Sequence, residues 1–152
     1  MSVFILIALA AGAALASQAA INSQLAKGLL VQPLVAAMIS FAVGTVVLLA
    51  LCFWKADLAG AWQQVPQQPA WKYLGGVLGA GFVFTSVFLA PKLGITNMLF
   101  FIIIGQLITA AVIDHFGLIG MAARPVQVWQ LLGLLVMAAG LVLFFFGRRL
   151  FG

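Results

Sequence analysis

Polar side chains interrupt an oily N-terminal run within the stretch SQAAINSQLAKG, among them Ser17, Gln18, Asn22 and Gln24. Three of them are carboxamides, which both donate and accept hydrogen bonds. On a helix advancing about 100° per residue the four fall within an arc of roughly 160°, with Ala19 and Ala20 outside it and Ile21 and Leu25 interleaved among them. Turned toward lipid, each amide would forfeit hydrogen bonds at a large cost. The arc therefore faces either another helix, where amides bond across the interface, or a watery cavity, where they can hold a polar solute.

Other residues extend the same chemistry. Gln106, in FFIIIGQLITAA, sets an amide in the middle of an apolar run, and Ser40 and Phe41 stand together in another. Gln18, Asn22 and Gln106 are the expected cavity lining, Ser40 is a further solute contact, and Phe41 an apolar wall. Thr45, Thr85, Ser86, Asn97 and Thr109 also lie in apolar runs. Hydroxyls among them carry less weight, since Ser and Thr often bond back to their own helix.

Asp114 and His115 are the only titratable pair near an apolar run. Adjacent helical residues do not face one another, so they do not couple directly. Asp114 is the one candidate for coupling solute movement to an ion. The competing reading is an interfacial contact with Arg124, or with water, that closes the helix. His115 at a helix end is expected to be solvated. No carboxylate pair, Cys/His ligand set or phosphate loop is visible. GGVLGAG, residues 75–81, is glycine-rich but lies within an apolar helix, where it serves packing. The chain is therefore not expected to be an enzyme or to hold a metal or cofactor.

The elements that position these residues follow from composition. Of 152 residues, 66% are hydrophobic and 6% charged, and mean hydropathy is +1.27. Soluble domains carry about a quarter charged residues, so this chain cannot dress a water-facing surface. The seven Lys and Arg residues stand at the ends of apolar runs, where cations meet lipid head groups. Nucleic-acid binding is excluded on that ground. Cys52 is the single cysteine, so no intrachain disulfide can form.

Apolar runs of about 20 residues cross a bilayer as helices. Five such spans are expected, near residues 3–25, 33–53, 71–90, 95–114 and 126–147, with Pro33, Pro91 and Pro125 marking breaks. The fold class is an all-α integral membrane protein, one domain over residues 1–152. The first run also ends in ALASQA, like a secretory signal, but no Lys or Arg precedes it. The one long connection, Trp54 to Lys72, holds three tryptophans and two prolines. Tryptophan settles at the membrane–water boundary, so this loop is expected to lie along the surface; the other reading is a docking site for a soluble partner.

Orientation is nearly unbiased. Lys55, Lys72 and Arg124 fall on the N-terminal side, and Lys27, Lys92, Arg148 and Arg149 on the other. Orientation follows the Lys and Arg excess; an excess of one favours insertion both ways, with an inverted copy as partner, and the other reading is that a weak bias fixes a single orientation. Small residues recur at four-residue spacing in Ala36, Ser40 and Gly44, in Gly75 and Gly79, and in Gly76 and Ala80. That spacing lets helix backbones approach closely. Gly133, Gly140 and Gly147 recur every seven, a smooth seam suited to a dimer contact or to packing within the subunit.

The runs QAAINSQL, PLVAAMISFAVGT, WKYLGGVLGA and GQLITAAVIDHFGLIG, in that order, resemble the YdcZ-type five-helix branch of the drug/metabolite transporter superfamily. The resemblance covers nearly the whole chain. It implies a multi-pass protein of the bacterial inner membrane, an exporter built as a half-transporter unit that pairs; an antiparallel homodimer is the expected assembly. The small multidrug resistance proteins of that superfamily carry a membrane-embedded glutamate in their first helix; here Gln18 and Asn22 occupy the comparable region. Neutral amides suit a neutral or zwitterionic solute, or leave charge to be met at Asp114. Those relatives dimerise through a glycine-lined last helix, which Gly133, Gly140 and Gly147 resemble. The expectation is a carrier that moves a small polar or amphiphilic solute by alternating access. A small dual-topology ion channel and a non-transporting packing subunit are the alternatives. The small fluoride channels carry an arginine soon after a GGxxGA pattern, whereas Phe82, Val83 and Phe84 follow Gly81 here.

Overall fold

A computed structural model describes residues 2–152 apart from the side chains of residues 148–150. The side chains of the tail cations Arg148 and Arg149 thus lie outside the described residues. The described residues form six α-helices: α1 (Ser2–Gly28), α2 (Pro33–Lys55), α3 (Leu58–Gln64), α4 (Leu74–Leu93), α5 (Ile95–Phe116) and α6 (Val128–Phe151). All but α3 are long and apolar enough to cross a membrane, matching the five expected spans. At about 1.5 Å per residue, α1 is some 40 Å long, longer than the ~30 Å hydrocarbon core, so Lys27 in its last turn can reach the head groups.

Several boundaries differ from expectation. Helix α4 runs through Pro91 to Leu93, and the break falls at Gly94, whose φ of 79° only glycine adopts freely. A proline one turn from a C-terminus removes a single backbone bond, which the helix tolerates. Helix α6 starts at Val128, not beside Pro125. Its start is set by Gln130, whose side-chain oxygen accepts from the Gln127 N–H at 2.8 Å. The Trp54–Lys72 connection contains α3, capped by an Asp57 side chain that accepts from the Gly60 N–H at 3.0 Å. Short 3-10 turns follow at Val65–Gln67 and Ala70–Tyr73. Lys55 sits over the Trp54 ring at 4.6 Å, and Trp54 and Trp62 are exposed.

The chain divides into two compact units, residues up to Met98 and residues from Leu99 onward. In the first unit α1, α2 and α4 contact one another pairwise. Ala19, Asn22, Ser23 and Ala26 of α1 are buried, as are Val83, Ser86, Val87 and Ala90 of α4. Each set has the i, i+3, i+4, i+7 spacing of one helix face. Ala36 and Ala37 of α2 complete the seam, with Leu25, Leu29 and Phe82 packed against it. Such small side chains let three backbones come together where lipid supplies no hydrophobic drive.

The expected glycine contacts are mostly not made. A Cβ added at Gly44, Gly75 or Gly76 meets nothing within 4 Å, and one at Gly79 only the tip of Phe41 at 3.8 Å. Alanine and serine form the close seam instead. The turn between α1 and α2 places Leu30 and Val31 at φ 56° and 59°, a left-handed conformation costing a non-glycine residue about 1–2 kcal/mol.

In the second unit α5 and α6 run antiparallel and meet through aromatic rings. Phe100 lies 4.7 Å from Phe144, and Phe101 lies 5.3 Å from Phe145, centroid to centroid. At the opposite end the chain turns through Gly117, Ile119 and Gly120, all at positive φ. The returning segment is held to the end of α5 by two bonds. The Arg124 N–H donates to the Asp114 carbonyl at 2.6 Å, and the Val126 N–H donates to His115 Nδ1 at 3.1 Å.

Candidate functional site

The amide cluster of α1 is split by the fold. Asn22 is 5% exposed, and its Nδ2 donates to the Ser40 hydroxyl on α2 at 3.0 Å. Ser17, Gln18 and Gln24 are exposed, and Ser17 bonds back to the Ala13 carbonyl. Helix geometry explains the split: at about 100° per residue the buried stripe from Ala19 to Ala26 centres opposite Ser17, and the polar arc touches it only at Asn22. Ser23, which the amides overshadow in the sequence, is buried beside Asn22. Its signal was the four-residue spacing from Ala19.

Gln18 lies roughly one turn from Asn22 and borders a groove shared with Ser40, Phe41, Gly44, Thr45 and Leu48, about 160 Å³ in volume. Four expected site residues, Gln18, Asn22, Ser40 and Phe41, thus come together between α1 and α2. No hydrogen bond of the Gln18 amide is formed among the described residues, while Thr45 is satisfied by the Phe41 carbonyl at 2.8 Å. On the other side of Phe41 lies an apolar hollow of about 430 Å³ walled by α2 and α4. Ser86 donates to the Phe82 carbonyl of its own helix, and Asn97, in the first turn of α5, donates across the Gly94 break to the Leu93 carbonyl that ends α4. They are structural.

Gln106 belongs to the second unit, on an exposed position of α5. Asp114 is half-buried two residues before the end of α5. It borders a cleft of about 640 Å³ between α5 and α6 that also takes in Arg124, Gln127, Gln130 and Gly133. The Asp114–Arg124 link runs through the backbone, and no ion pair between the two side chains is formed among the described residues. His115 is fixed as an acceptor for Val126 N–H, not simply solvated. Added side chains at Gly133 and Gly140 would meet nothing within 4 Å, and one at Gly147 only Leu143 of the same helix. Gly133 borders the cleft just described, and Gly140 stands exposed. Among the described residues no group of three or more His, Cys, Asp or Glu is placed to hold a metal.

Five helices of membrane-crossing length and an apolar exposed surface define a multi-pass α-helical membrane protein. The chain matches, over residues 3–143, the family model DMT_YdcZ, described as "Putative inner membrane exporter, YdcZ". It belongs to that family, and is a multi-pass inner-membrane protein. No curated protein and no solved structure gives a significant match.

Proposed function

We propose that the chain is half of a carrier that moves a small polar or amphiphilic solute by alternating access, with the Gln18 groove as its share of the solute site. The observation that carries this reading is the Gln18 amide, left without a described partner beside Ser40, which already accepts from Asn22. Asn22 anchors the groove wall, Gln18 and Ser40 offer polar contacts and Phe41 an apolar one. A groove of about 160 Å³ is smaller than the ~300–1,000 Å³ of most small-molecule sites. A second copy would supply the rest, and transporters are commonly built from two related halves with the site at their interface. Exposed Gln106 and exposed Gly140 support such a partner, because a mid-span amide in lipid is costly and small residues favour close helix contact.

Cysteine accessibility tests the reading without knowledge of the solute. In a Cys52→Ala background, Gln18→Cys in proteoliposomes reacts with a membrane-impermeant maleimide, because the reaction needs water. Val46→Cys, at an exposed apolar position of α2, stays unreactive. Equal inertness of the two sites would remove the groove from any solute path. Discrete conductance steps in planar bilayers would replace the carrier by a channel.

A further inference from the structure

The cleft between α5 and α6 has a built chemistry that the solute groove does not use. Its mouth carries one carboxylate, Asp114, and one guanidinium, Arg124, and its inner walls are apolar, with Leu107, Leu134 and Met137 among them. The two charged groups are held on one rim because the Arg124 N–H is bonded to the Asp114 carbonyl, yet their side chains do not neutralise each other. Gln130 lends its amide oxygen to the Gln127 N–H, which leaves its NH₂ as a free donor at the same rim. The cleft sits at the ends of two membrane-length helices: Asp114 is two residues from the end of α5, and Gln130 two residues into α6. That is the depth of the head-group layer.

We infer that this cleft binds an amphiphilic zwitterion, with an ammonium on Asp114, an anionic phosphate or carboxylate on Arg124 and Gln130, and an apolar tail along Leu107, Leu134 and Met137. Opposite charges set side by side select a zwitterion over an anion, since only the zwitterion brings a cation to Asp114, which would otherwise face the ligand without a counter-charge. Planar guanidinium suits a phosphate or carboxylate in two-point contact. A volume near 640 Å³ lies in the range of sites that enclose a ligand of drug size, enough for a head group and the first part of a chain. The ligand can come from the bilayer, as an aminophospholipid, or from solution, as a free zwitterionic amphiphile; the chemistry is shared. The inference is independent of the Gln18 groove, and its test reads binding, not flux.

The full chain in maltoside micelles is titrated with lysophosphatidylethanolamine and with lysophosphatidylglycerol of the same tail, and bound ligand is counted by native mass spectrometry. The ethanolamine lipid binds about tenfold more tightly, a difference of ~1.4 kcal/mol. Asp114→Asn erases that preference, and Arg124→Gln weakens both lipids by about tenfold. Gly133→Leu, which grows a side chain into the cleft where an added Cβ meets nothing, lowers binding with both charges intact. Unchanged melting of the variants shows that they fold. Displacement by tailless phosphoethanolamine identifies a soluble ligand; resistance to it identifies the lipid. Equal binding of the two lysolipids to the wild type, or wild-type binding by Asp114→Asn and Arg124→Gln, overturns the assignment.

Discussion

Removing the Ser40 hydroxyl tests the only side-chain bond that joins α1 to α2 among the described residues. The bond is asymmetric. Asn22 is 5% exposed, so Ser40→Ala leaves a buried amide donor without its partner, whereas Asn22→Ala leaves only a half-buried hydroxyl able to turn to a carbonyl of its own helix. An orphaned buried polar group costs ~1–3 kcal/mol; side-chain hydrogen bonds within membrane bundles average ~0.6 kcal/mol and reach ~1.7. Ser40→Ala should therefore destabilise the protein by about 1–2 kcal/mol. In an Asn22→Ala background the same change should cost only a few tenths, giving a coupling energy of ~0.6–1.7 kcal/mol. The cycle is measured as reversible unfolding in mixed micelles, with each variant's helicity checked beforehand. If Ser40→Ala costs the same with Asn22 and with alanine at position 22, the bond does not hold the seam, and its anchoring of the groove wall is wrong.

Further outcomes follow from the packing. Gly117→Ala combines a φ of 60° with contacts at 3.1 Å to the Met121 carbonyl and the Ala123 side chain, and should lower stability by about 1–2 kcal/mol, read as a drop in melting temperature; an unchanged melt would show that the turn yields freely. Phe100→Ala removes ring contacts to Phe144 and Phe145 and should cost about 3 kcal/mol, with hydrogen exchange rising in α6 before α1; a uniform rise would deny the rings their local role. If the proposed partner is a second copy packed on α6, Gly140→Leu should cut the dimer fraction in analytical ultracentrifugation at least severalfold, since the added side chain blocks close helix approach, without altering the monomer's helicity. An unaltered dimer would place the interface elsewhere.

The five spans were legible because hydropathy over about 20 residues is a strong signal in a bilayer protein. Helix α3 was not, since seven residues, Leu58–Gln64, give too short a window; its one cue was Asp57 three residues before Gly60. Polar residues were legible as a cluster but not by role. The sequence places Asn22 and Gln18 on neighbouring faces, yet which is sealed and which open depends on where α2 and α4 settle, and the Ala19–Ala26 stripe decides that. Glycine spacing suggested close contacts that alanines make instead, because a glycine matters only where a neighbour comes near, as Phe41 does at Gly79. The cleft beside Asp114 was hidden because it depends on a chain reversal whose Ile119 adopts φ 58°, a conformation no pattern of hydropathy reveals.

Clamping α5 to α6 by phenylalanine rings at one extremity makes the pair a set of tongs. Between Phe100 and Asp114 the lever is about 21 Å long at ~1.5 Å per residue. A tilt of α6 by about 5° about the rings would move its other end by nearly 2 Å over that length, comparable with the displacements by which packed helices shift. Bulk added or removed at Phe144 or Phe145 should therefore retune the charged mouth from the other extremity, to the extent that the two bonds tying the returning segment to α5 give way.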